Sequence, residues 1–356
     1  MHTPAQAERP RVHVLGLGSI GTFAAHSLLE CPRPPSVTLL CHRQSLFDAY
    51  RQNGNQILLE TREGDRIGHT GYEFEVFRNG NWYQGSDAEG SGDSAQNSVI
   101  ENLIVAVKTT QTVSALRPLQ HRLTPNSNIL FLQNGSGTID EVNTQLFPNP
   151  IDRPNYIVGV ISHGVTLHKS FHVTHTGHAA TSLGPIPRST EDPTQTFENA
   201  SSYLLANLPL SPRLNATSYT HTEILQIQLE KLAVNAFCNP LCALNDAENG
   251  FLFSIPETRL AILTEISNVV CALPELQHVS DLKQRFAVDK LEATVNAIIE
   301  KTFHTTCSMV WDLRAGRETE IKFINGYWVK RGLEVGVPTP VNESLVAKVR
   351  LKERRN

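Results

Sequence analysis

The sequence predicts an α/β protein in two parts: an N-terminal dinucleotide-binding domain over residues 1–215 and an all-helical C-terminal domain over residues 216–356. Three observations predict it. An apolar strand near the start of the chain runs into a glycine turn and a helix. Two wholly apolar runs further on have the pattern of buried parallel strands. Beyond a linker rich in proline and serine, nearly every stretch carries helical periodicity.

The first strand is Val12-His13-Val14-Leu15, followed by the turn Gly16-Leu17-Gly18-Ser19-Ile20-Gly21 and an amphipathic run from Thr22 to Leu29. In such a turn one glycine permits the tight bend, one lets backbone approach a pyrophosphate and one lets helix pack on strand. The helix N-terminus adds free amide groups that favour a phosphate. The second strand, Val37 to Cys41, ends in Cys41-His42-Arg43-Gln44. An NAD site usually has a carboxylate there for the ribose hydroxyl, whereas a guanidinium suits the 2′-phosphate of NADP(H). The plainer reading leaves Arg43 as a solvated loop residue.

Residues 51–97 are polar and read as an excursion from the sheet, with a hairpin around YEFEVF and a mobile loop from Asp87 to Gln96. Strands return at Leu103–Val107 and Ile129–Leu132. Lys108 follows the first and Asn134 shortly follows the second, so both are expected at the carboxyl edge of the sheet, where ligands bind in open α/β folds. From Tyr156 to Leu183 the chain alternates as short strands. It carries His163, His168, His172, His175 and His178, but without helical pairing or acidic and thiol companions, so these read as strand-face residues and no metal site is assigned.

A helix is expected from Thr194 to Asn207, then a linker through Pro209, Pro212 and Asn215. Further helices are expected at Tyr219–Cys238, Pro256–Leu273, Val288–Phe303 and Thr319–Leu333, with a cleft between the two domains. The first of these helices is apolar except for Lys231, Asn235 and Asn239, which at four-residue spacing lie above one another. Either the lysine snorkels to water and the amides bond backbone, or the stripe carries chemistry. Pro240 is expected to push Asn239 out of helical conformation and end the helix there. Gly316 reads as a helix stop, and Glu320 as a first-turn residue that suits the helix dipole.

A net charge of −4 gives no electrostatic case for nucleic acid or an anionic membrane. Apolar runs fall short of the roughly 20 residues that span a bilayer, and MHTPAQAERPR lacks a signal core, so a cytoplasmic location is expected and mitochondrial import disfavoured. Six cysteines show no C-x-x-C pair, and four sit in apolar contexts that suggest reduced core residues.

Five blocks give the chain a family resemblance: VLGLGSIG; the strand end LLCHR; AVKT with LQNGSGT; KLAVNAFCNPLCAL with the later ENG; and SMVWDLRAGRETEIKFINGY. Together they resemble ketopantoate reductase over nearly the whole length. The resemblance implies a Rossmann-type domain followed by a helical domain of the 6-phosphogluconate dehydrogenase C-terminal type. It implies that residues 16–21, Arg43, Lys108 and Asn134 hold NADP(H), and that Lys231 is the general acid with Glu320 beside it. Asn134, Asn235, Asn239, Asn249 and Ser308 would position a small 2-oxo acid. The chain departs from the family pattern at Trp311 and Cys242. Two other readings stay open: a relative reducing a different branched 2-oxo acid, and a non-catalytic NADP-binding redox sensor. The chain is expected as a monomer or homodimer.

Overall fold

The computed structural model describes residues 9–85, 95–188 and 202–355. The chain forms two compact units, residues 1–133 with 140–224 and residues 134–139 with 225–356. The division falls beyond residue 215 because the short strand at 216–218 pairs into the sheet of the first unit.

In the first unit, β1 (Arg11–Leu15), α1 (Ser19–Leu28), β2 (Ser36–Cys41) and α2 (Gln44–Gln52) follow the expected order. Next come β3 (Ile57–Thr61), β4 (Arg66–His69), β5 (Glu73–Arg78), β6 (Asn81–Gln84), β7 (Asn102–Val105), α3 (Thr112–Leu116), β8 (Asn128–Phe131) and α4 (Thr138–Gln145). The unit continues with β9 (Asn155–Ile161), β10 (Gly164–Lys169), β11 (His172–Gly177), β12 (Thr181–Ile186), α5 (Tyr203–Asn207) and β13 (Ala216–Ser218). Nine strands form one sheet in the order β13-β12-β9-β8-β7-β1-β2-β5-β6, parallel from β9 through β5. Val12, Val14, Leu103, Ile104 and Ile129 are fully buried, as strands covered on both faces require.

The polar stretch is not an excursion. β5 extends the main sheet alongside β2 and turns back as β6, so the expected hairpin is present and adds two strands. β3 and β4 join β10 and β11 in a second sheet, ordered β10-β11-β3-β4. That sheet lies against α1. Gly21 through Leu28 are consequently all buried, and the helix is apolar on both sides rather than amphipathic. Its polar residues bond internally: Thr22 Oγ1 donates to Leu17 O at 3.2 Å and Ser27 Oγ to Phe23 O at 2.7 Å. Burial pushes His26 down to about 3. Most of the expected loop from Asp87 to Gln96, and the first part of the expected helix from Thr194, lie outside the described residues; α5 is the described remainder of the latter.

Of the five strand-region histidines, His163 and His175 are buried and bond each other at 3.0 Å, and the second ring nitrogen of His163 reaches Leu214 O at 2.9 Å. His168 bonds Thr174 Oγ1 and His172 lies 3.2 Å from Glu60. Each has a structural partner of this kind except His178, which packs edge-on to His163.

A buried ion pair locks the main sheet. Arg122 grips both carboxylate oxygens of Glu75 at 2.6 and 2.9 Å, while its Nε donates to Ser98 O and its Nη2 also to Ser98 Oγ. Burial disfavours the Glu75 anion, but hydrogen bonds from His13 and Arg122 outweigh it and hold the carboxyl below its ordinary value.

The second unit contains α6 (His221–Asn245), whose first residues belong to the first unit, with α7 (Pro256–Ala272), α8 (Leu282–Arg285), α9 (Val288–Lys301), α10 (Ser308–Arg314), α11 (Asn325–Val335) and α12 (Pro340–Glu353). Leu229, Ala233, Ala236 and Phe237 place α6 at the centre of its core. Burying a side chain such as Phe237 stabilises the fold by about 1.5–3 kcal/mol. No described helix is long and apolar enough to cross a membrane.

Two expectations are corrected here. α6 does not end at Asn239 but continues through Pro240 to Asn245. Proline removes the amide that would bond the carbonyl four residues back, which is Ala236 O. That carbonyl instead accepts a hydrogen bond from Asn325 Nδ2 at 2.8 Å. The same amide group reaches Asn342 Oδ1 at 2.9 Å, and Asn342 in turn donates to Glu265 at 2.7 Å. Glu265 also accepts from the amides of Val341 and Asn342, capping α12. The helix expected from Thr319 starts only at Asn325, after a 3-10 turn over Ile321–Phe323. The Phe323 carbonyl is taken by the amide of Ser136 at 2.8 Å, so it is not free to extend that turn. Gly316, at φ +61°, does stop α10.

Asn325 is wholly buried, so Asn325→Leu leaves the Ala236 carbonyl and the Asn342 amide oxygen without a donor. Each orphaned group costs about 1–3 kcal/mol. Denaturant unfolding should show a loss of several kcal/mol in total, and an unchanged midpoint would refute the role given to this bond.

Candidate active site

In the first unit, β1 has β2 on one side and β7 on the other, so the strand order reverses there. The loops after β1 and β7 thus meet at a switch point of the kind that holds ligands. Gly16 takes φ +96°, and a Cβ there would meet Val107 N at 2.4 Å. At Gly21 a Cβ would lie 1.7 Å from Gly16 O, so helix and turn can pack this closely only with glycine at that position. Gly18 faces open space, with no atom within 4 Å of its added Cβ. α1 begins next to it with no acidic residue in its first turn and no side-chain cap, which leaves its amides for an anion. Leu17 is buried, and Ser19 and Ile20 are half-buried on the turn.

Arg43 is exposed at the end of β2, where it precedes α2 in extended conformation. Register pairs Cys41 with Val76, and Arg78, at the end of β5, comes to the residue that follows Arg43. Its guanidinium bonds the side chain of Gln44. Sequence reading missed Arg78, because only the β2–β5 pairing brings it to this edge. Lys108 is half-buried after β7. Gln133, also missed, donates to Val107 O and Thr112 Oγ1 at 2.7 Å each, tying the loop after β8 to the loop after β7.

In the second unit, Lys231 on α6 donates to Asn134 Oδ1 at 3.2 Å. Three contacts fix the loop that carries Asn134. Gly135 takes φ +85° where an added Cβ would lie 2.7 Å from Phe323 O, Ser136 N bonds that carbonyl, and Gln228 Nε2 reaches Gly135 O at 3.4 Å. Lys231 is half-buried. Burial lowers its ammonium from the usual lysine range to about 8, while the charge of buried Glu320 pulls the other way. Asn134, Lys231 and Glu320 are therefore one electrostatic group.

The remaining predicted residues divide. Asn235 is half-buried and Asn239 buried on the same helix. The Asn239 carbonyl accepts the Cys307 thiol at 3.7 Å, which sets the start of α10, and so exposed Ser308, beside α6. Asn249 is committed elsewhere: its amide nitrogen donates to Thr302 Oγ1 at 2.9 Å and its oxygen accepts from Cys242 Sγ at 3.6 Å. Cys242 and Cys307 are close enough to influence each other, the former thiol being raised and the latter lowered. All six cysteines are free and four are buried. Trp311 stands 52% exposed under the Arg314 guanidinium, 4.8 Å from the ring centroid, so it is not a core residue.

Residues 12–188 match the family described as Ketopantoate reductase PanE/ApbA, and residues 223–353 match its C-terminal counterpart. A probable 2-dehydropantoate 2-reductase of Schizosaccharomyces pombe is 29% identical over 94% of both chains. A 2-dehydropantoate 2-reductase of Vibrio cholerae is 30% identical over 71% of this chain and 77% of its own. The crystal structure of a probable 2-dehydropantoate 2-reductase from Bacillus subtilis superposes with a TM-score of 0.63 at 25% identity, covering 96% of this chain and 99% of that one. The chain belongs to the ketopantoate reductase family.

Proposed function

We propose that the chain reduces the 2-keto group of 2-dehydropantoate to (R)-pantoate, a step of pantothenate biosynthesis, with NADPH as reductant. One observation carries the proposal: a half-buried lysine whose ammonium is lowered to about 8, bonded to Asn134 and coupled to Glu320. The names of the relatives support the substrate.

The first unit fits the cofactor. Gly18 leaves room for a pyrophosphate at the start of α1, and Gly16 and Gly21 satisfy the close packing around it. The end of β2 offers Arg43, with Arg78 bonded to the residue that follows it, in place of a carboxylate, which favours a 2′-phosphate. Lys108 supplies a further cation at the same edge. When bound, a reduced nicotinamide supplies the hydride.

The second unit supplies the proton. Reduction of a keto group develops negative charge on its oxygen, and an ammonium aimed there stabilises that charge and protonates it. Lys231 has a pKa close to working pH, which suits a group that must both hold and release a proton. Asn134 and Glu320 orient it, Glu320 also accepting a bond from the substrate hydroxyl. Asn235, Asn239 and Ser308 offer neutral donors to the carboxylate. Asn249 acts indirectly, by holding the end of α6 through Thr302 and Cys242.

Purified protein should oxidise NADPH with 2-dehydropantoate, and Lys231→Ala should lower kcat on the order of 10²–10⁴-fold. Wild-type turnover on 2-dehydropantoate no faster than on other branched 2-oxo acids would remove the substrate assignment.

The pH profile has a defined sign. Lys231 must be protonated to act as an acid, so kcat for reduction should fall as pH rises through about 8, and oxidation of the hydroxy acid should rise over the same window. A reduction rate flat from pH 7 to 9 would contradict the assignment.

Arg43→Ala should raise KM for NADPH about tenfold or more, the value of one charge-assisted bond, and leave NADH little changed. Equal effects on both cofactors would refute the 2′-phosphate contact.

A further inference from the structure

Three side chains of the first unit with no part in the proposed reaction meet where the end of α1 approaches β4. His26 is wholly buried on α1, Glu30 lies just beyond the last residue of that helix, and His69 ends β4. His26 Nε2 is 3.1 Å from Ile67 O. Two acceptors cannot make that contact, so Nε2 carries the hydrogen and Nδ1 of the neutral ring presents its lone pair. Nδ1 lies 3.5 Å from Glu30 Oε1, and His69 Nε2 lies 3.7 Å from the same oxygen. Both ring nitrogens are shielded from solvent and have no hydrogen-bond partner.

A lone pair, a carboxylate oxygen and a second ring nitrogen therefore face one another, all within 4.8 Å. A proton on His69 would serve its contact with Glu30 and leave His26 Nδ1 unmatched. A cation among the three serves all of them. Tetrahedral zinc, with bonds of about 2.0–2.1 Å, sets its donors roughly 3.3 Å apart; both nitrogens lie within a few tenths of an ångström of that spacing from Glu30 Oε1, at 3.5 and 3.7 Å, and all three donors lie within 4.8 Å of one another. The surroundings also match those of metal ligands: the second nitrogen of His26 is held by a backbone carbonyl, and Glu30 is held by the Arg213 fork at 2.7 and 2.8 Å. The helix end contributes partial negative charge. Arg213 opposes a cation, which makes the site weaker than one without it. His69 is 28% exposed, so the group lies close to the surface.

We propose that His26, Glu30 and His69 bind a divalent cation of the zinc class, with one coordination position left for water, and that the ion ties α1 to β4. Imidazole and carboxylate donors suit zinc and its neighbours over magnesium or calcium.

The test uses the full chain, stripped with chelator and titrated with Co²⁺ followed by Zn²⁺. Wild type should take up one equivalent of Co²⁺ with a visible ligand-field band, lose the band to Zn²⁺ and gain thermal stability with Zn²⁺. His69→Ala, and His69→Gln as a second variant on the partly exposed edge strand, should bind on the order of tenfold or more weakly. His304→Ala, at a position 87% exposed, should bind as wild type. Absence of saturable uptake by wild type, or equal uptake by wild type and a folded His69 variant, overturns the proposal.

Discussion

The second unit depends on the bond between Asn325 Nδ2 and the carbonyl of Ala236. A proline deep inside a helix costs about 3 kcal/mol or more, in part because a carbonyl one turn back loses its donor. Here a buried side chain from α11 supplies the donor, and α6 runs on without a break. Lys231, Asn235 and Asn239 therefore stay on one helical line, since a helix ending at Asn239 would release the last of them. Asn325 also starts α11, directly after the turn whose Phe323 carbonyl holds Ser136. The loop carrying Asn134 and the helix carrying Lys231 are thus positioned by adjacent parts of one segment.

Two of the lysine- or arginine-to-carboxylate arrangements differ in how their charges meet. Arg122 and Glu75 are fully buried, bidentate and surrounded by Ser98 and His13, so every charge is matched and no hydrogen-bonding capacity faces outward. Such a pair fixes structure, and breaking one member of it costs about 3–5 kcal/mol. Lys231 meets a neutral amide at 3.2 Å and a carboxylate that acts on it through its charge. Burial and Glu320 pull its pKa in opposite directions, with burial prevailing. That balance suits the proton-donor role proposed for Lys231, whereas the matched charges of Arg122 and Glu75 suit a structural pair.

Local signals made much of this legible. The strand, turn and start of α1 could be read because glycine spacing reports backbone approach directly, and β7 and β8 because strands buried on both faces are apolar throughout. The stripe on α6 was visible because polar residues stand out on an otherwise apolar helix. What could not be read depends on partners distant in sequence. β3 pairs with β11, and that pairing turns an apparently polar excursion into half of a sheet and makes α1 buried on both sides. Arg78 reaches the β2 edge only through the β5 pairing. The rule that a residue before proline leaves the helix is local, and Asn325, which overrides it, lies far along the chain. The bonds that Asn249 makes to Thr302 and Cys242 likewise cannot be inferred from spacing.

The second sheet also bears on the glycine turn. A helix packed on one face can shift along the sheet beneath it, and its N-terminal amides shift with it. α1 lies against strands of both sheets, and at its first turn Gly21 meets the carbonyl of Gly16 too closely for any side chain. Movement of the helix toward the turn is blocked by that contact, and lateral movement by packed side chains such as Phe23 and Leu28. The amides beside Gly18 are consequently fixed before any anion arrives, so ordering them adds little to the cost of binding. At the opposite end of the same helix, the polar residues His26 and Glu30 meet β4 and Arg213 rather than solvent. The second sheet, to which the polar stretch contributes β3 and β4, is thus the outer wall behind the helix that follows the glycine turn.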